Sequence, residues 1–196
     1  MTIITTTMKE RGFNMAIFLI TAPSGAGKTT IADKIAKLGV WKECISNTTR
    51  PMREGEVYGK TYYFTKSEDF EDADTMGVFA ESVRYDGHSY GITHEEIERV
   101  MGTGKHVYII VEHGGYKQIK KLYPDAIGIF LHMSKEDCMA NMLLRGDSLE
   151  KATKRINKYD DEIKNRGEYD YVVKNVRGQM DNVIYVIRYI LTQYKM

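Results

Sequence analysis

The sequence predicts an α/β protein in which a parallel sheet carries helices on both faces, and three observations carry that prediction. A glycine-rich loop, Ala22-Pro23-Ser24-Gly25-Ala26-Gly27-Lys28-Thr29, stands between an apolar run and a run with helical periodicity. Two further strand-length runs, His106 to Glu112 and Ala126 to His132, are almost continuously apolar, as strands buried on both faces are. Segments with helical spacing separate these runs, so successive strands are connected by helices.

The elements follow in order. Ala16 to Ile20 is the first strand, and Thr30 to Ala36 continues the helix that leaves the glycine-rich loop, with Gly39 at its C′ position. Trp41 to Ser46 reads as a short strand. Asn47 to Glu56 is loop-forming through Pro51 and Gly55. Gly59 to Thr65 is aromatic and strand-like, and Ser67 is placed to cap a helix that buries Phe70 and ends at Gly77. Val78 to Tyr85 and His88 to Ile92 form a hairpin across Asp86-Gly87. Thr93 and Glu96 have capping-box spacing for a helix running toward Gly102. After the third apolar strand, a helix through Tyr116 to Leu122 stops before Pro124; Ser134 caps another reaching Leu144. Arg145 to Ser148 interrupts it, and a charged helix runs from Leu149 to about Arg166. Tyr169 to Asn175 is the last strand. Val183, Ile187, Ile190, Leu191 and Tyr194 form one stripe of a terminal helix.

The chain has 196 residues, enough for one sizeable core, and its 42% hydrophobic and 28% charged composition is that of an ordinary globular protein. No apolar stretch approaches the ~20 residues of a membrane span. A formal net charge of +1 supplies no basic field for nucleic acid or an anionic membrane. Cys44 and Cys138 lie far apart without metal-ligand spacing, which suits reduced thiols in a cytoplasmic setting. Residues 1–14 are polar and threonine-rich and lack the apolar core of a secretory signal; they are expected to be a flexible extension, and Met15 offers an alternative start.

Two stretches carry chemistry. In the first, Gly25 and Gly27 let the backbone curl so that the N–H groups of Ser24 to Thr30 point at a polyphosphate, reinforced by the positive end of the following helix. Lys28 is then placed to reach the outer phosphates and the Thr29 hydroxyl to ligate Mg²⁺, so this is an expected ATP-type triphosphate site. In the second, Arg50 and Arg53 stand three apart in a loop among hydroxyls, a pair suited to gripping a phosphate bidentately. Glu112 ends a buried strand, where an acid is delivered to a site at the sheet's carboxyl edge. His113 beside it is read as a solvent-facing or core histidine.

With those residues in place the chain resembles guanylate kinases from about Ile17 to Asn175. The resemblance rests on the glycine-rich loop, on Ser46, Thr48, Thr49, Arg50, Arg53, Gly55 and Glu56 in the family's acceptor motif, on Phe79-Ala80-Glu81, on Arg145 and Arg155, and on Glu168-Tyr169-Asp170-Tyr171 leading to Asn175. It implies a P-loop three-layer fold with a five-stranded parallel sheet, a small β-rich insertion for the nucleoside monophosphate at about 46–92, and a helical lid at about 141–158, the core being 15–45 and 93–196. It implies that Ser46, Arg50, Arg53, Glu56, Tyr62 and Tyr90 hold the acceptor's phosphate region and that Glu81 accepts hydrogen bonds from a guanine edge, with Thr93, Glu112 and Arg155 also facing the acceptor. Arg145 and Arg155 are implied to close over the transferred phosphoryl group, and Arg145 and Asn175 to lie against ATP.

The chain departs from the family pattern in places. Ala22 opens the loop where a glycine is usual in P-loops, and Ile110-Val111-Glu112-His113-Gly114-Gly115 replaces a segment with two acids. Ile92 replaces a hydroxyl residue, and Asn141 a lid arginine. The expected reaction is Mg²⁺-dependent transfer of the ATP γ-phosphoryl group to a nucleoside monophosphate, GMP or dGMP, by a monomer or homodimer. Two alternatives stay open: a same-fold kinase for another or modified nucleotide, and a non-catalytic interaction module, which the intact Gly27-Lys28-Thr29 argues against.

Overall fold

The computed structural model of the chain describes residues 15–39, 41–85 and 87–194. The expected extension at 1–14 and Asp86 of the hairpin turn lie outside the described residues. Five strands, β1 (Ile17–Thr21), β2 (Trp41–Glu43), β7 (His106–Ile110), β8 (Ile127–His132) and β9 (Tyr171–Lys174), form one all-parallel sheet in the order β2-β7-β1-β8-β9. The helices are α1 (Lys28–Ala36), α2 (Ser67–Thr75), α3 (His94–Met101), α4 (His113–Leu122), α5 (Lys135–Leu144), α6 (Leu149–Ile156), α7 (Tyr159–Lys164) and α8 (Met180–Thr192).

The central strand explains why these runs lack alternation. Phe18 and Ile20 of β1 enter a core shared with Ile31 and Ile35 of α1, Met142 of α5 and Ile187 of α8. Ile17 and Leu19 enter a second core on the other face, with Ile97 and Val100 of α3 and Ile119 of α4. A strand buried on both faces must be apolar at every position. Gly128 in β8 has its own reason: a Cβ there would meet the Tyr116 ring at 2.7 Å, so the missing side chain seats α4 on the sheet.

A second sheet stands apart, in the order β4-β3-β6-β5, from β3 (Asn47–Thr48), β4 (Tyr63–Phe64), β5 (Phe79–Tyr85) and β6 (His88–Thr93). It is largely antiparallel, with β3 and β4 parallel to each other. Gly91 of β6 lies under Phe79 and Phe70, whose rings stack 4.3 Å apart.

Several boundaries differ from the sequence expectation. The loop expected at Asn47 begins as β3, because Asn47 and Thr48 pair on both sides, with β4 and β6, which their polar side chains do not advertise. The strand expected over Gly59 to Thr65 shortens to Tyr63–Phe64, since Gly59 with φ 73° turns the chain and Tyr62 makes only an isolated bridge with Tyr58. Ser67 does not cap α2: it is the first helical residue, and Lys66 holds the N-cap position without a side-chain bond. The charged helix expected from Leu149 to Arg166 is α6, α7 and a 3₁₀ turn at Asn165–Glu168, bent at Asn157-Lys158 so that Ile156 and Tyr159 both reach the core. Ser134 and Ser148 cap their helices as side-chain acceptors, and Thr93 caps α3 by accepting from the Glu96 N–H at 3.0 Å. No helix among the described residues is long and apolar enough to cross a membrane.

Candidate active site

The carboxyl edge of the parallel sheet opens into a cleft of about 960 Å³, walled on one side by the loop between β1 and α1 and on the other by the small sheet. The first wall is backbone. Gly25 and Gly27 take left-handed φ values of 86° and 81°, which L side chains rarely adopt, and the Ala26 N–H closes the turn onto the Pro23 carbonyl at 3.1 Å. A Cβ on Gly25 would collide with the Cys138 carbonyl, so α5 presses directly beneath the loop. Two amides brace it: Asn141 Nδ2 donates to the Gly25 carbonyl and Asn175 Nδ2 to the Ala26 carbonyl, each at 2.9 Å. With those carbonyls engaged on the protein side, and the Ser24 and Ala26 N–H groups bonded to Glu162 and Pro23, the amides that remain for an anion are those of the turn into α1 from Gly27 onward.

Lys28, the first residue of α1, hydrogen-bonds back to the Ala22 carbonyl and lies 3.5 Å from Glu112 Oε1. Ser24, Gly25, Gly27, Thr29 and Thr30 line the cleft with it; Ala26, expected at the site, is instead buried in the core with its N–H and carbonyl bonded to Pro23 and Asn175. Ala22 is buried too, so the position where the motif's first glycine is usual has become a core contact.

The second wall is made of side chains. Arg50 is buried, its guanidinium bound bidentately by Glu56 at 2.6 and 3.0 Å, with Nη1 also donating to the Pro51 carbonyl at 2.7 Å. Glu56 accepts from the Arg53 N–H as well, at 2.7 Å, and these bonds hold its carboxyl below the usual range. The Tyr62 and Phe64 rings lie 5.3 and 5.8 Å from the Arg50 guanidinium carbon. Ser46, Arg50, Arg53, Tyr62, Glu81 and Tyr90 all face the cleft, whereas Glu56 stands behind Arg50 and orients it.

Glu81 is 4% exposed, with Oε2 unpartnered at the end of the cleft. Burial first and the charge of Glu112 second push its carboxyl up to about 8. A buried acceptor atom without a partner, open to a cavity, is what a ligand donor would satisfy. Glu112, the N-cap residue of α4, faces both Lys28 and Glu81, so it sits at the boundary between the two walls.

Residues of the expected lid form a third side. Asp147 gathers the cations: Arg145 Nε at 3.1 Å, Arg155 Nη1 at 3.6 Å and Lys151 Nζ at 3.9 Å. These neighbours hold its carboxyl low. All four line the cleft, and Arg155 Nε has no partner. Behind them, Glu162 of α7 accepts from the Ser24 N–H; burial, then Glu112, raises its carboxyl to about 7.

A P-loop and an arginine pair face each other across one cleft, with lid cations beside them. A family model described as "Guanylate kinase" matches residues 14–194. The chain belongs to the guanylate kinase family. A guanylate kinase of Thermus thermophilus is 37% identical over 167 residues, 84% of this chain and 75% of that protein. One from Lactococcus lactis is 35% identical over 176 residues, 88% of this chain and 84% of its own length. The crystal structure of guanylate kinase from Anaplasma phagocytophilum superposes with a TM-score of 0.74 at 25% identity, covering 93% of this chain and 87% of that one.

Within this guanylate kinase fold, a further sequence expectation needs correction. Thr93 is not on the cleft wall; its hydroxyl is committed to capping α3. Ile92, which replaces a family hydroxyl residue beside Thr93, is fully buried in the core under α3. Asn141, where the family has a lid arginine, braces the donor loop and also contacts Met133 Sδ at 3.2 Å. His113 is tied to the Tyr169 hydroxyl at 3.1 Å and packs against Tyr116. Sequence reasoning missed Asp147, Lys151, Tyr85 and Glu162. Asp147 had a signal, an acid beside Arg145 in the interrupted helix; Glu162 and Tyr85 had none, because only the fold brings them to Ser24.

Proposed function

We propose that the protein transfers the γ-phosphoryl group of ATP to a nucleoside monophosphate, GMP or dGMP. The observation that carries this reading is the pairing, in one cleft, of a backbone anion cradle with an arginine-built phosphate clamp and a buried carboxylate at the clamp's far end. The attacking oxygen belongs to a phosphate whose second pKa is ~6, so it is largely ionised at neutral pH and needs no general base. The remaining problem is to bring two anions together in line, which is a matter of positioning and charge neutralisation.

In this reading the curl from Ser24 to Thr30 holds the donor phosphates, with Lys28 exchanging Glu112 for the outer ones and Asn175 bracing the loop. Arg50 and Arg53, with Ser46, Tyr62 and Tyr90, hold the acceptor phosphate, and Glu56 orients Arg50. Glu81 accepts from the N1–H and exocyclic amine of guanine, a donor pair that adenine lacks. Arg145 and Arg155 turn from Asp147 to the phosphoryl group in transfer. Mg²⁺ would be held by the Thr29 hydroxyl, with the Glu112 carboxylate as a second oxygen donor on the cleft wall, and would supply neutralisation of the donor's phosphate charge. Two protein oxygens suit a cation that keeps water and phosphate as its other ligands.

The test is ATP turnover with Mg²⁺ across a panel of ribo- and deoxynucleoside monophosphates, modified bases included. Turnover with GMP or dGMP well above the others is expected. Preference for another base would move the assignment to a same-fold kinase with Glu112 reshaping the pocket, and silence across the panel would remove the enzymatic reading.

A further inference from the structure

One cluster away from the arginines joins three separate parts of the fold. Ser24 belongs to the donor loop, Tyr85 ends β5 on the opposite wall, and Lys158 and Glu162 lie a helical turn apart at the start of α7, directly after the lid. The Ser24 N–H donates to Glu162. The Ser24 and Tyr85 hydroxyls stand 3.4 Å apart, at the long end of a hydrogen bond, so that contact alone is weak. The Lys158 ammonium lies over the Tyr85 ring, 4.4 Å from its centroid, a favourable cation–π placement. Tyr85 therefore touches the donor loop with its hydroxyl and the base of the lid with its ring face.

This matters because the small sheet that carries Tyr85 also carries Arg50, through β3, and Glu81, on β5 itself. Movement of that sheet on binding an acceptor moves Tyr85 with it. We propose that Tyr85, Ser24, Lys158 and Glu162 form a latch that couples occupation of the acceptor wall to closure of the lid over the donor loop. The inference rests on the two-nucleotide reading of the cleft. Tyr85 and Lys158 are positioning residues in it, acting through Ser24 and α7. Because the latch favours one closed arrangement that both nucleotides use, each nucleotide tightens the other by the same factor.

The test is calorimetric binding of the ATP analogue AMPPNP with Mg²⁺, measured with and without saturating GMP, and the reciprocal titration. In the wild type each nucleotide is expected to tighten the other by about tenfold. In Tyr85→Leu and in Lys158→Gln the factor falls below about twofold, while the affinity for either nucleotide alone changes much less. A structural lesion would instead weaken both nucleotides with the coupling factor intact. Lys158 is exposed, so Lys158→Gln carries the test if Tyr85→Leu melts early. Coupling that persists in both variants, or that is absent from the wild type, overturns the latch. Failure of the wild type to bind either nucleotide removes the two-nucleotide reading itself.

Discussion

In the proposed reading, the two walls of the cleft each hold a phosphate, with opposite materials. The donor wall is main chain: left-handed glycines pressed onto α5, carbonyls pinned by Asn141 and Asn175, and a helix N-terminus, all seated on a five-stranded core. The acceptor wall is side chain: Tyr90 on a small four-stranded sheet, and Arg50, Arg53 and Tyr62 in the loop joining two of its strands. Main-chain amides cost little to preorganise once the core is folded, but they cannot move. Side chains on a small sheet can follow a ligand, and each needs a neighbour to hold it ready.

The donor wall should therefore be the less forgiving. Lys28→Ala is expected to lower kcat by about 10³-fold with little change in Tm, measured by coupled nucleotide diphosphate assay and thermal melting. Gly25→Ala tests the wall's backbone: a Cβ in a left-handed conformation against the Cys138 carbonyl should cost both stability, by ~2–4 kcal/mol, and donor binding. A folded, active Gly25→Ala protein would show that the loop is softer than its packing indicates.

Arg50→Ala probes the other wall, and here the effect should be one-sided, with the acceptor KM raised by about 100-fold and the ATP KM nearly unchanged. Equal loss for both nucleotides would erase the distinction between the walls. Glu81→Gln separates function from stability. The Glu81 carboxyl, ordinarily at 4.5, is pushed up to about 8, so the folded state holds a proton that the unfolded state releases across that range. Stability then falls as pH rises from 4.5 to 8, and it does so because of Glu81. The glutamine variant should melt several degrees higher than wild type at pH 8, the gap closing toward pH 5, while GMP use drops. The smallest effect is expected from Asn141→Ala, which leaves the Gly25 carbonyl without its brace and should raise the ATP KM only a few-fold, for a loss of ~1 kcal/mol.

The same contrast explains what could be read before the fold was seen. The donor loop was legible because a backbone site has to be written in glycine spacing, and the buried parallel strands because burial on both faces forces unbroken apolar runs, as in Ile17 to Ile20. The terminal stripe of Val183, Ile187, Ile190 and Leu191 follows from a different rule, burial of one face of a helix, and the count of five strands came only with the resemblance. The acceptor wall was legible only through resemblance, since an arginine pair in a loop is common. Thr93 misled because its side chain is turned to cap α3 and lies off the cleft wall. Ser67 misled because a capping residue one position late reads the same in sequence. Asp147, in the loop between α5 and α6, carried a signal beside Arg145, but the Glu162 contact was hidden because an acid's partners are chosen by tertiary approach, and α7 does not show by itself which of its carboxylates turns inward.

The Arg50–Glu56 pair has a consequence in donor counting. A guanidinium has five N–H groups. Glu56 and the Pro51 carbonyl take both hydrogens of Nη1 and one of Nη2. What remains is the Nε hydrogen and one on Nη2, which point the same way along a single edge of the plane. Arg50 thus offers one complete two-pronged edge to an incoming phosphate, already turned and already dry. Its charge, however, is spent on Glu56, so the net attraction that draws the anion in falls to Arg53. Lysine at position 50 could replace the charge but not the edge, and at this wall the edge is the part in short supply.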